Sequence, residues 1–199
     1  MEQPRKPPPY GSAQSGGHLF GHIHFTDREA AEIQGRLKQQ LGPEFVSTRS
    51  GPGGSKVSYI EGWKVVNLAN DVFGFNGWSS VVVSTEVDFV DATPDGKIAL
   101  GMSCIMRVVL KDGTFREDIG YGQSAGSRSK ADAFEKAKKE AATDGLKRAL
   151  RHFGNVLGNC FYDKEFIKQV GKVPTGLVSP IGNTPVAILT SVYLSLPAK

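Results

Sequence analysis

Apolar positions change period along the chain, and the changes mark its elements. Between Thr26 and Leu41 the apolar residues Ala30, Ile33, Leu37 and Leu41 recur three or four positions apart, which is one face of a helix. Thr26 stands as its N-cap with Glu29 three residues on, a capping box, and Gly42-Pro43 as its stop. The period then shortens. Lys56–Ile60 and Trp63–Leu68 are predicted as the strands of a hairpin turning at Glu61-Gly62, followed by a helical turn over Ala69–Phe73. Trp78–Val90 is a long β-branched run, and Lys97–Leu110 is a second one, entered through Asp95-Gly96. Asp112-Gly113 signals a type I′ turn into a strand over Thr114–Tyr121. A long helix is predicted from Ser127 to Phe153. Hairpin-linked strands followed by a helix predict an α+β fold, an antiparallel β-meander followed by a long basic helix.

The two ends read differently. Residues 1–17, MEQPRKPPPYGSAQSGG, hold too little apolar surface to offset chain entropy and are predicted to be a disordered tail. After about Val170 the periodicity stops, and 171–199 is predicted to be an irregular C-terminal tail. Residues 18–170 form the one domain, a length sufficient for a sizeable core. No run of about 18 apolar residues is present, as a membrane span would need. Two isolated thiols, Cys104 and Cys160, make no disulfide framework and fit a reducing, intracellular setting.

Charge sharpens the picture at the long helix. The formal net charge of +4 favours an anionic partner only weakly. The first half of the helix mixes signs, with Asp132–Lys136 and Glu135–Lys139 at the i,i+4 spacing of a solvated face. The second half does not. Lys147, Arg148 and Arg151 fall within about 100° of arc, and no acid follows them until Asp163. The helix macrodipole accounts for part of that placement. A stripe of fixed cations also suits a phosphate chain. Upstream, Arg49 and the loop Gly53-Gly54-Ser55-Lys56 put cations on flexible backbone that can approach phosphates closely. Tyr59, Trp63, Phe73, Phe75 and Trp78 have the chemistry to stack on bases, although core packing is the ordinary use of such residues.

Catalytic motifs do not assemble. Residues 120–125, GYGQSA, match a dinucleotide-binding G-x-G-x-x-A, but the strands before them are hairpin-linked and no second parallel strand follows the helix. Gly120 and Gly122 are assigned instead to a sharp turn into the helix. No P-loop is present. His18, His22 and His24 lack acidic or cysteine partners at metal spacing. Asp88, Asp91, Glu117 and Asp118 are read as solvated carboxylates without a nucleophile–base pair. The chain is therefore read as a non-enzyme, with no catalytic residue, metal or cofactor assigned.

Longer blocks carry more. GPEFVSTR (42–49), KVSYIEG (56–62), VVNLANDVFGFNGW (65–78), VDFVD (87–91), LKDGTFREDIGYG (110–122) and KKEAATDGLKRALRHFGNVLGNC (138–160) resemble, in order, the eukaryotic Rad52 family of single-strand annealing and recombination mediator proteins. The resemblance runs from about His18 to Val170. It implies a β-β-β-α core assembled with copies of itself into a closed ring, with single-stranded DNA in a positive groove that leaves base edges exposed. It implies an inner groove formed by Arg49, Tyr59, Lys147, Arg148 and Arg151. It implies an outer DNA site at Lys97, Arg128, Lys164 and Lys168. It implies ATP-independent annealing in double-strand break repair by homologous recombination, in the nucleus. Family members continue into a long half that binds the single-strand-binding replication protein A and the RecA-like recombinase. Residues 171–199 do not resemble that half, so the resemblance carries annealing to this chain but not recombinase loading. The rival readings are an RNA-binding or structural oligomer of the same fold and a nucleotide-cofactor enzyme built on Gly120-Gly122.

Overall fold

The computed structural model describes residues 21–170 and Lys172. The expected tails at 1–17 and 171–199, apart from Lys172, and the side chain of His18 lie outside the described residues. The elements in chain order are α1 (Asp27–Leu37), β1 (Ser47–Ser50), β2 (Lys56–Tyr59), α2 (Gly62–Phe73), β3 (Trp78–Ala92), β4 (Ile98–Leu110), β5 (Phe115–Ser127), α3 (Lys130–Arg151) and α4 (Lys164–Val170). Strands β3, β4 and β5 form an antiparallel meander in that spatial order, and β1 and β2 form a separate hairpin. The fold is α+β, with the long helix following the meander.

Local chemistry explains the well-placed elements. Thr26 caps α1 by accepting from the Glu29 amide, and Glu29 accepts in return from the Thr26 amide at 2.8 Å, so the capping box is complete. The helix nevertheless ends at Leu37, one turn before Gly42. Both hairpins of the meander close through three-residue loops of the form x-Asp-Gly. Gly113 donates to Leu110 and Leu110 to Thr114; Gly96 donates to Thr93 and Thr93 to Lys97. Gly113 and Gly96 take positive φ angles of 90° and 73°. The Asp112-Gly113 turn is thus a three-residue loop with a left-handed glycine, not the two-residue type I′ turn expected.

Two elements differ from the sequence-based expectation. The hairpin expected at 56–68 is displaced. β2 pairs with the upstream β1 in the register Ser47↔Tyr59 and Arg49↔Val57, and residues 62–73 are one continuous helix. Val65, Leu68, Ala69, Val72 and Phe73 are all buried, which is helical spacing and overrides the strand preference of the Val65-Val66 pair. β5 also runs six residues beyond Tyr121, to Ser127.

The reason lies in how α3 meets the sheet. Ala133, Ala137, Ala141, Gly145 and Ala149, spaced four apart, are buried along one stripe of α3. Opposite them, Gly120, Gly122 and Ser124 are buried along β5. A Cβ at Gly122 would lie 2.0 Å from the Ala137 carbonyl oxygen. Gly120 and Gly122 therefore serve close approach of helix to strand, not a turn into the helix, and the backbone a nucleotide would need is covered by α3. Buried Leu100, Met102, Cys104, Met106 and Val108 of β4 face the same helix. The main core lies at the other end, where Leu41, Leu68, Leu150 and Leu157 are fully buried, each contributing about 2 kcal/mol.

The sheet edges differ. Outward amides of β5 are taken by carboxylates: Ile119 donates to Asp118 at 2.8 Å, Tyr121 to Asp144 of α3 at 3.3 Å, and Gln123 to Glu140 of α3 at 3.1 Å. β3 pairs only with β4 among the described residues. It exposes Val81, Val82, Val83, Val87, Phe89 and Val90. Among the described residues no helix is long and apolar enough to cross a membrane.

Candidate nucleic-acid interface

The C-terminal end of α3 and the β1–β2 hairpin meet over one aromatic ring. Arg49 on β1 and Lys147 on α3 each bring their charge to 5.8 Å from the centre of the Tyr59 ring on β2. That is the outer range of cation–π attraction. The hairpin is held in place from below. Ser47, the cross-strand partner of Tyr59, donates to Glu61 at 2.7 Å, and the Trp63 indole donates to the other Glu61 oxygen at 2.5 Å. These hydrogen bonds hold the Glu61 carboxyl below its usual range. The next residue, Gly62, abuts α3. A Cβ there would come within 2.9 Å of the Thr143 methyl group, one turn before Lys147. Lys64 donates to the Glu44 carbonyl at 2.8 Å and sits 5.6 Å from the centre of the exposed Trp63 ring.

Arg148 and Arg151 lie beside this cluster but are not free. Both reach Asp118 of β5, Arg148 through Nε at 3.3 Å and Arg151 through Nη2 at 3.2 Å. His152 Nε2 lies 2.9 Å from the same carboxylate. Asp118, read from sequence as solvated, has a side chain only 15% exposed and is the hub of this network. Its charge partners sit 30 to 34 residues along the chain. Burial pushes its carboxyl up. Hydrogen bonds from His152, the Ile119 amide and Arg151, with the Arg148 charge, more than reverse this and hold it at about 2. Burial opposes the charge on Arg148 too, but Asp118 outweighs it and pushes the guanidinium up. Arg151 is the more enclosed of the two, 17% exposed against 39% for Arg148. Its guanidinium lies 4.1 Å from the centre of the Tyr162 ring, and its Nε is buried with no partner among the described residues.

The four residues expected at an outer site fall into two pairs. Lys97 is ion-paired with Asp95 at 2.5 Å in the β3–β4 loop. Its neighbour Ile98 registers with Ser127, so it lies near exposed Arg128 just before α3. Lys164 and Lys168 are exposed one turn apart on α4, with Lys168 paired to Glu165 at 2.7 Å. Tyr162, two residues before Lys164, packs on Arg151, so this pair belongs to the C-terminal end of α3. At 1.5 Å per residue the two pairs stand about 30 Å apart along α3, and one chain does not gather them. Among the described residues no group of His, Cys, Asp and Glu is placed to hold a metal ion.

A helix-backed antiparallel sheet with cations around an accessible aromatic ring defines a class of surface suited to a phosphate chain carrying stackable rings. The family follows from comparison. Residues 29–176 match the sequence profile of the Rad52/22 family double-strand break repair protein. The chain is 58% identical over 152 residues to the DNA repair and recombination protein radC of Emericella nidulans, covering 76% of this chain and 26% of that protein. It is 56% identical over 156 residues to the DNA repair and recombination protein rad22 of Schizosaccharomyces pombe, covering 77% and 33%. With the DNA repair and recombination protein RAD52 of Eremothecium gossypii the identity is 57% over 142 residues, covering 71% and 32%. This chain belongs to the Rad52/22 family of double-strand break repair proteins. The matched region spans about a quarter to a third of these relatives' length.

Proposed function

We propose that this chain binds single-stranded DNA and anneals complementary strands without nucleotide hydrolysis, in nuclear double-strand break repair by homologous recombination. The observation that carries the reading is the convergence of Arg49 and Lys147, from separate elements, on the ring of Tyr59. Cations there neutralise backbone phosphates and so reduce repulsion between two like-charged strands. Tyr59 offers a face to one unstacked base, and base pairing supplies the free energy of annealing. No step needs a catalytic group.

Self-assembly into a ring is part of the same proposal. Exposed apolar residues along β3 are the kind of surface that a second copy covers. In such an assembly, Lys97 and Arg128 of one copy and Lys164 and Lys168 of another would supply the outer DNA site. Contacts with replication protein A and a RecA-like recombinase are proposed for the longer relatives' remaining length and not for the residues described.

The test is annealing of complementary oligonucleotides without ATP by the wild type and by Arg49→Ala/Lys147→Ala. Both side chains reach solvent and neither neutralises a buried partner, so the fold survives their loss. Fast wild-type annealing with a weakly binding variant supports the reading. Equal annealing by both proteins places the DNA elsewhere. RNA of the same sequence as competitor separates DNA annealing from the RNA-binding alternative.

A further inference from the structure

A carboxylate sits under the cations where a phosphate-binding surface has least use for one. Asp118 is 15% exposed, and three cationic or basic side chains from the end of α3 and its cap converge on its two oxygens: Arg148 at 3.3 Å, Arg151 at 3.2 Å and His152 at 2.9 Å. The Ile119 amide donates to it as well, which fixes the carboxylate relative to β5. We propose that Asp118 is a positioning residue of the DNA interface, holding Arg148 in the orientation in which it meets a phosphate even though its own charge opposes that of DNA. This rests on the proposed DNA-binding role of the surface.

The geometry assigns the two arginines to two layers. Arg148 reaches Asp118 through Nε, which leaves the terminal amino groups of a side chain 39% exposed to face an incoming anion. Arg151 is clamped between Asp118 and the Tyr162 ring and is 17% exposed. It therefore supports the carboxylate and lends charge from beneath. An arginine on the surface of a helix samples many rotamers, and anchoring its Nε removes that freedom before DNA arrives. One carboxylate against two guanidinium groups also leaves the local charge positive.

Position and charge predict opposite signs, which makes the proposal sharp. Asp118→Asn removes a negative charge next to the site. If only summed charge matters, single-stranded DNA binds more tightly. If Asp118 positions Arg148, binding weakens by about tenfold, the size of one charge-assisted hydrogen bond. Arg148→Lys is the companion variant. It keeps the charge, cannot make the Nε contact, and leaves Asp118 with Arg151 and His152. Positioning predicts a similar loss, and charge alone predicts wild-type affinity.

The measurement is anisotropy of a labelled thymidine oligonucleotide with the full chain, at a temperature well below melting for every variant. The expected result is weaker binding by both variants, and little further loss when Asp118→Asn is added to Arg148→Ala, since the carboxylate then has no exposed arginine to orient. A merely structural Asp118 would instead add its effect in that background. Unchanged or tighter binding by Asp118→Asn, or wild-type binding by Arg148→Lys, overturns the proposal while Arg49→Ala/Lys147→Ala still binds weakly. If that double variant also binds like the wild type, the interface itself is misassigned.

Discussion

Gly120 on β5 lies directly against Gly145 on α3: a Cβ added at Gly120 would stand 2.1 Å from the Gly145 amide nitrogen and 2.2 Å from the Ala141 carbonyl oxygen. Both contacts are to backbone, so no side chain can move aside. Gly120→Ala forces the long helix off the sheet and should destabilise the domain by about 3 kcal/mol. Denaturant unfolding checks this, and a loss below about 1 kcal/mol would mean that the helix seats less tightly than the geometry requires.

Lys147→Ala and Arg49→Ala should each make the dependence of log K on log salt shallower by about 0.7 for single-stranded DNA. Titrations between about 50 and 200 mM salt resolve that change. Arg151→Ala belongs to a different category. It strips a partner from the half-buried Asp118 carboxylate and vacates the face of Tyr162, so it should lower stability by about 2 kcal/mol. A variant with unaltered melting would contradict the inner-layer placement of this side chain.

Acid should weaken the domain through Asp118. Its folded-state value, about 2, lies below the ordinary aspartate value of 3.8, so the charged form is favoured by folding. That stability is complete above about pH 4 and is lost as pH falls through about 2. The contribution is about 2 kcal/mol, and the Asp118→Asn variant should lack this share of the acid dependence. Parallel unfolding curves for wild type and variant across that window would remove Asp118 as the cause. Glu29 is also held at about 2, by the Thr26 amide first and by Lys111 and the Thr26 hydroxyl after it, so it titrates in the same range.

Thr26→Ala should cost about 1 kcal/mol by opening the capping box of α1. Glu29 also receives Lys111 from the β4–β5 loop at 3.0 Å, and Lys111 lies 4.4 Å from the centre of the Phe25 ring. Loss of the cap should therefore loosen the attachment of α1 to the meander. Hydrogen exchange in α1 would report it, with unchanged protection as the opposing outcome.

What could be read from the sequence was local. The Thr26–Glu29 box, the two Asp-Gly loops and the β-branched runs each act within a few residues, and the structure contains them. The helical turn expected at Ala69–Phe73 is the end of α2, whereas Trp63–Leu68 reads as a strand because of Val65 and Val66, although the buried set at 65, 68, 69, 72 and 73 has helical spacing. The far half of β5 is hidden in the sequence because glycine and serine weaken strand signals. Their reason for being there is the alanine-lined helix above them, more than a dozen residues away in sequence. The meeting of Arg49, Tyr59 and Lys147 was implied by family resemblance and not by spacing, since nearly a hundred residues separate Arg49 from Lys147. Asp118 is not legible as a hub, because a carboxylate in a strand looks solvated until its arginines fold back onto it.

The acids along one margin of the sheet have a consequence for crowding. Sheets that extend edge to edge without limit become fibrils, and this molecule exposes an apolar strand that invites such growth. A copy arriving at β5 finds the outward amides already claimed by Asp118, Asp144 and Glu140. A copy arriving at β3 finds an open margin. Backbone pairing is thus barred at β5, and a copy that covers β3 in the proposed ring meets it with a surface other than that edge. The helix carboxylates work as a terminator, allowing an exposed apolar strand to persist without seeding runaway polymer.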